Sequence, residues 1–260
     1  MGRLLNNFKA YVTEAANISA GDVALNKRAY GADGEVIGTA TPDWPRLIGA
    51  TKAYNNTGSA TATFTVAISS RAQAGDCAVL GVTTRNAEIA STPTGWTQLF
   101  HYGIVDAAFE DPPVSNEQYA VYWKILDGTE GATVGVDFEN VITSNGVQMH
   151  LLVVRNSSGI TTWSADANVQ VCPSVAVTEG DLVMFQHITS FDASSPVVHG
   201  ETSLPADMIL ALSSHNGTTD VGMVTCWEPV VATGNTGTRT FDVGWASYEA
   251  TLSLVFDKLA

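Results

Sequence analysis

From Thr61 the chain alternates, with Phe64, Val66 and Ile68 falling on one side of an extended backbone and Thr63, Thr65 and Ala67 on the other. A period of two predicts a half-buried strand. The pattern then changes. Gly75-Asp76 releases straight into the apolar run Cys77-Ala78-Val79-Leu80-Gly81-Val82, which reads as a second strand. The same opener returns at Gly180-Asp181, followed by Leu182-Val183-Met184-Phe185, 105 residues later. Trp123 and Trp227 are 104 residues apart, and Asp137 and Asp242 are 105 apart. Each half also ends on an apolar strand, Met149 to Val154 and Leu252 to Phe256. A period this long is not that of a solenoid, whose units are shorter and more numerous. It predicts two similar sets of strands facing each other across one core.

The same reading places strands at Tyr119–Ile125, Ala132–Phe138, Val147–Arg155, Val169–Val177, Asp181–Ser190, Met208–Ser214, Gly222–Pro229, Thr238–Val243 and Tyr248–Phe256. The longest irregular stretches are His101–Glu117 and Phe191–Pro205, and long loops are where binding commonly sits. Thr41-Pro42-Asp43-Trp44-Pro45 reads as a linker, since two prolines end any ladder. Before it, Asp33-Gly34 predicts a tight turn between strands at Arg28–Ala32 and Glu35–Thr39. The expected fold is therefore all-β: a jelly-roll-like β-sandwich with an internal pseudo-repeat over residues 46–260. An attachment arm with a small β-hairpin occupies residues 1–45.

Charge sharpens this division. The 260 residues carry a net charge of −14, unevenly spread. Residues 1–52 hold six basic groups against five acids, whereas residues 53–260 hold six against 21. So acidic a body repels phosphate backbones and anionic lipid, which argues against nucleic acid as a partner. No window offers about 18 consecutive apolar residues, so membrane insertion is not expected. The start lacks the apolar h-region of a secretory signal. Three cysteines, Cys77, Cys172 and Cys226, cannot all pair. Cys77 and Cys226 lie in strand-like runs, where a thiol acts as a small hydrophobe, which suits a reducing cytoplasm.

Residues 18–39 carry a more specific pattern. Gly21-Asp22-Val23, Lys27, Ala29-Tyr30, Gly34 and Gly38-Thr39 fall at the spacing of a short module that this stretch resembles, one common in bacteriophage tail, fibre and other virion proteins. Asn26 stands where that module has glycine, and Arg28 is an extra cation beside Lys27. Farther on, the order Gly-Asp strand, Pro93-Thr94-Gly95-Trp96-Thr97, then an aromatic strand is similar to β-sandwich domains of phage structural and bacterial surface proteins. The second half departs from it, having Pro205-Ala206-Asp207-Met208 where a second Pro-x-Gly-Trp would stand. The resemblance implies a non-enzymatic virion structural protein, assembled in the bacterial cytoplasm and resident in the particle. A tail fibre or tail tip serving host adsorption is the first expectation, and a capsid decoration or head-fibre protein the alternative. Its partners would be other virion proteins, contacted through Leu4, Leu5, Phe8, Lys27, Arg28 and Tyr30. It would also contact copies of itself, since fibre proteins are commonly trimeric.

Catalytic patterns are sparse. The sequence has no Gly-x-Ser-x-Gly, no His-Glu-x-x-His and no phosphate-cradling loop, and its five histidines lack metal spacing. No cofactor is implied. Asp137 and Glu139 share one face of a strand, the spacing a glycosidase pair could approach, but a solvated face of an acidic protein explains them better. A polysaccharide depolymerase therefore ranks last. A carbohydrate-binding adhesin ranks above it, with a host-surface glycan as the further partner. Trp44 and Trp163 are its candidate stacking platforms because polar or proline-rich sequence surrounds them, whereas Trp96, Trp123 and Trp227 are expected in the core.

Overall fold

The computed structural model describes residues 28–31, 34–37, 44–55, 63–85, 87–105, 116–139, 146–167, 170–190, 208–215, 221–241 and 248–259. The chain forms two compact units, Met1–Asp43 and Trp44–Ala260. In the first, β1 (Arg28–Gly31) and β2 (Gly34–Ile37) pair antiparallel. The hairpin closes on Gly31 opposite Gly34, so residues 32 and 33 lie between the strands. Gly34, expected in the turn, is thus the first residue of β2. Two glycines form the closing pair, bringing no side chains to the tightest part of the ladder.

The second unit is built of β-strands, with no helix among the described residues. Its first half holds β3 (Arg46–Asn55), β4 (Thr63–Ala67), β5 (Cys77–Arg85), β6 (Glu88–Ile89), β7 (Thr97–Val105), β8 (Asn116–Ile125), β9 (Thr133–Glu139) and β10 (Gly146–Arg155). The second holds β11 (Ser157–Ala167), β12 (Val171–Cys172), β13 (Ala176–Val177), β14 (Leu182–Ser190), β15 (Ile209–His215), β16 (Val221–Pro229), β17 (Gly234–Asn235), β18 (Arg239–Thr240) and β19 (Tyr248–Lys258). Asn156 alone joins β10 to β11. It takes a left-handed backbone (φ 62°), which asparagine tolerates better than most residues. The single strand expected at Val169–Val177 is broken into β12 and β13 around Pro173, which has no N–H to donate. Of the strand expected at Thr238–Val243, Arg239 and Thr240 form β18, Thr238 and Phe241 lie outside it, and residues 242 and 243 fall outside the described residues. His101, expected to begin a loop, lies within β7, which runs on to Val105.

In the first half the first strand pairs with the last, the second with the next to last, and the third with β8. That nesting is a hairpin rolled on itself, the jelly roll. The second half repeats it with β11·β19, β12·β18 and β14·β16. The two large sheets have the orders β3-β10-β5-β8-β7 and β11-β19-β14-β16-β15, which correspond strand for strand. Even the irregularities recur. A register shift falls between Gln98 and Phe100 on edge strand β7, and another between Leu210 and Leu212 on its counterpart β15. Bulges of this kind twist an edge away from further pairing.

The Gly-Asp openers repeat atom for atom. Asp76 Oδ2 accepts the Gln73 N–H and Asp181 Oδ2 the Thr178 N–H, both at 2.7 Å. Gly75 and Gly180 have φ of 88° and 94°, a region where a side chain would be strained. Each aspartate also ties down the strand that ends its half. Arg155 forks onto Asp76 at 2.9 and 3.0 Å, and the Lys258 N–H donates to Asp181 Oδ1 at 3.1 Å.

One core was expected, and the described residues form three. Side chains of β5 and β10 point alternately into a first cluster under β4 and β9, with Leu80, Val136, Phe138 and Met149, and into a central one. The central cluster joins the halves through Val79, Val121 and Leu152 from one sheet and Met184, Leu252, Leu254 and Phe256 from the other. A third, with Phe185, Val224 and Phe241, closes the second half. Each half is therefore a sandwich, and the two large sheets stack back to back.

The stacking is that of an internal two-fold. Lys52 of β3 donates to the Ser213 carbonyl of β15, His150 of β10 meets Thr225 of β16, and the Phe100 ring of β7 meets the Trp163 ring of β11. The middle strands β5 and β14, counterparts of each other, meet on the axis. There Gly81 faces Gln186, and a Cβ at Gly81 would come within 2.5 Å of Gln186 Oε1. The Gln186 amide accepts from the Tyr119 hydroxyl at 2.5 Å and donates to Thr225 at 2.7 Å. His150 continues the chain to Thr225 (2.9 Å) and Ser214 (2.7 Å), and Ser214 donates to Gln148. All of these groups are buried.

Gly81→Ala should therefore cost about 1–3 kcal/mol by overpacking. Gln186→Ala should cost a similar amount by orphaning the buried Tyr119 hydroxyl and stripping Thr225 of one of its two partners. The double variant should be less destabilised than the sum, because the second change removes the atom the first one strikes. Urea denaturation of the four proteins checks this, and strict additivity would contradict it.

Candidate functional site

An open groove of about 460 Å³ lies in the first half, where three separate segments converge. One wall comes from Ser91-Thr92-Pro93-Thr94 and Trp96, another from Lys124 with the 129–131 turn, and the floor from Thr63, Thr133, Gly135 and Asp137. The Ala90 N–H donates to the Asp137 carbonyl at 2.9 Å, and there the 91–96 segment leaves the ladder. Gly95 (φ 79°) and a Trp96 N–H to Pro93 carbonyl bond of 3.0 Å close its turn. Pro93 is buried beneath. Trp96 is half-buried: it packs against the first core and also lines the groove. The core placement expected for it is thus only half of its role.

The opposite wall is fixed by charge. Lys124 Nζ lies 2.6 Å from Glu130 and 3.2 Å from Asp127. Glu130 accepts the Asp127 and Gly128 N–H groups, both at 2.9 Å, and Asp127 accepts the Thr129 N–H at 2.8 Å. The hydroxyl of Thr129, its N–H and Lys124 together draw the Asp127 carboxyl down to about 2. Burial pushes Glu130 up, but Lys124 and the backbone donors outweigh it and leave it below the usual carboxylate range. Hydrogen bonding to Glu130 in turn raises Lys124. On the floor, Thr63 Oγ1 donates to Asp137 Oδ1 at 2.6 Å.

The other residues singled out in the sequence scatter. Leu4, Leu5, Phe8 and Lys27 lie outside the described residues, and Arg28 and Tyr30 stand on β1. Trp44 is 47% exposed beside the Gly180 turn, and Trp163 is 40% exposed on β11 with its edge toward Phe100. Neither lines the groove. Trp123 lies across Gly159 of the second half, and Trp227 also packs on the central cluster. Asp137 and Glu139 both face outward from β9, and only Asp137 reaches the groove. His150 belongs to the inter-sheet network, and His187 stacks on Phe241 within 4.0 Å of Glu249. All three cysteines are buried free thiols, and burial pushes Cys77 and Cys172 up to about 12. Among the described residues, no three His, Cys, Asp or Glu side chains gather as a metal site. Lys124 and Glu130, missed in the sequence, carried one signal: Asp127-Gly128-Thr129-Glu130-Gly131 is dense in turn residues.

No protein-family model matches the chain, and no curated protein matches it.

The depressed carboxyls make the 127–130 turn acid-resistant. Their contribution is fully present above the ordinary carboxylate pKa and is lost as pH falls through the folded values. The Thr129 amide resonance should therefore hold its position through about pH 4 and titrate toward about 2. A midpoint near 3.9, the ordinary Asp value, would contradict this geometry.

Proposed function

We propose that the chain is a non-enzymatic structural protein of a bacteriophage particle. Residues 1–45 serve as the attachment arm, and the double jelly roll is the displayed body, serving host adsorption from a tail fibre or tail tip. The observation that carries this reading is the β1–β2 hairpin, formed within the 22-residue stretch that resembles the virion module. The arm's near-neutral charge beside a strongly acidic body supports the same division of labour. Capsid decoration is the alternative location, and particle reconstruction separates the two. A chain beginning at Pro45 should keep its β-rich circular dichroism yet be missing from particles that incorporate the full chain. Normal incorporation of the truncated chain would refute the arm.

The same hairpin bears on assembly. Among the described residues β1 and β2 pair only with each other, so each leaves one edge unpaired. Two-stranded hairpins are marginal alone in water, and exposed edges are a hazard unless covered. Copies of the arm around an axis supply that cover, and closed cyclic symmetry is the usual outcome of repeated contacts between identical chains. A homotrimer is the assembly we propose. Light scattering at micromolar concentration should give three times the chain mass, whereas a clean monomer would leave docking on another virion protein as the arm's role.

A further inference from the structure

We infer that the groove beside Trp96 is a binding site for a neutral glycan. Its volume of about 460 Å³ falls within the range of about 300–1,000 Å³ usual for ligand sites. The lining is not that of an apolar pocket: one half-buried indole stands among threonine hydroxyls, a lysine and two carboxylates. A sugar ring asks for this mixture. Its C–H face stacks on an aromatic side chain, and its hydroxyls both donate and accept.

Charge selects among saccharides. Lys124, the cation of the groove, is held by Glu130 at 2.6 Å and Asp127 at 3.2 Å, so its charge is already answered. Asp137 adds a further negative group, and residues 53–260 carry 15 more acids than bases. A sialylated or sulfated chain would enter this field against repulsion, whereas a neutral one would meet strong charge-assisted acceptors. The site is also pre-shaped. The 127–130 turn and the Thr63–Asp137 pair are fixed by hydrogen bonds within the protein, which limits the ordering that binding must impose. This inference stands on the groove alone and holds whether or not the chain belongs to a particle.

Gly131 provides a test that spares the fold. It lies on the groove, its φ is outside the left-handed region, and an added Cβ would meet nothing within 4 Å. Gly131→Leu therefore fills the cleft without straining the backbone, unlike Trp96→Ala, which also removes core contact. The experiment applies the labelled full-length protein to a printed array of neutral and acidic oligosaccharides. Gly131→Leu and Asp137→Asn, each checked for native circular dichroism, are run beside it. The expected result is binding to neutral glycans, weakened about tenfold or more in both variants. The inference is overturned by an array with no binding, by binding confined to sialylated or sulfated glycans, or by neutral-glycan binding that Gly131→Leu leaves unchanged.

Discussion

Where a duplicated chain folds against itself across a two-fold axis, equivalent positions meet on that axis, and two equal side chains there contend for one space. Positions 81 and 186 are that pair in this protein. Gly81 yields the room, and Gln186 fills it with an amide that reaches Tyr119 on one side and Thr225 on the other. Both large sheets are covered on both faces, so any polar atom between them must find its partner there, at a penalty of about 1–3 kcal/mol if it does not. The network from Tyr119 through Gln186, Thr225 and His150 to Ser214 meets that requirement. It also pins the stacking: sliding one sheet along the other would break the Tyr119–Gln186, His150–Thr225 and His150–Ser214 bonds while merely reshuffling Leu and Val contacts. Hydrophobic burial supplies the attraction between the sheets, and the polar network selects one alignment.

The Gly-Asp turns do for each half what Gly81 and Gln186 do for the pair. A left-handed glycine reverses the chain, and the following aspartate accepts a backbone N–H three residues back. Its other oxygen holds the end of the half's last strand, through the Arg155 side chain in one case and the Lys258 N–H in the other. β5 and β14, which these turns open, lie beside the last strands β10 and β19 in the two large sheets, so each clasp fastens the middle of its sheet.

How much of this could be read from the sequence follows from which residues face what. Central strands β5, β10, β14 and β19 announce themselves because burial on both faces leaves an unbroken apolar run. Edge strands β3 and β11 do not. Arg46-Leu47-Ile48-Gly49-Ala50-Thr51-Lys52 mixes charges and a glycine into the strand, with the glycine required because a Cβ there would strike Ser69. Ser157–Ala167 is mostly small and polar. The 105-residue offset disclosed the duplication, yet one core was inferred where the described residues form three, since periodicity reports that a residue is covered and not by what. The groove was harder still. Its walls come from three segments, around 63, at 91–96 and at 124–137, which no spacing in the chain brings together; the jelly-roll crossing does.

Comparing the halves shows where the fold's demands end. Ala78 pairs with Lys124, and its counterpart Val183 pairs with Glu228, so positions 124 and 228 are equivalent by register. The charge is reversed between them. Lys124 takes Glu130 as its partner, whereas Glu228 takes Arg239 at 2.9 Å, with that guanidinium over the Phe185 ring. The Gly-Asp turns, the edge bulges and the inward tryptophans are alike in both halves because both must close the same roll. What lies around 124 and 228 is not needed for closure, and there the halves differ in sign, in partner and in the loops beside them. A roll needs no cleft to be stable. The wall of the groove is thus built at a position that folding leaves open, which is why its chemistry and not its topology distinguishes the first half from the second.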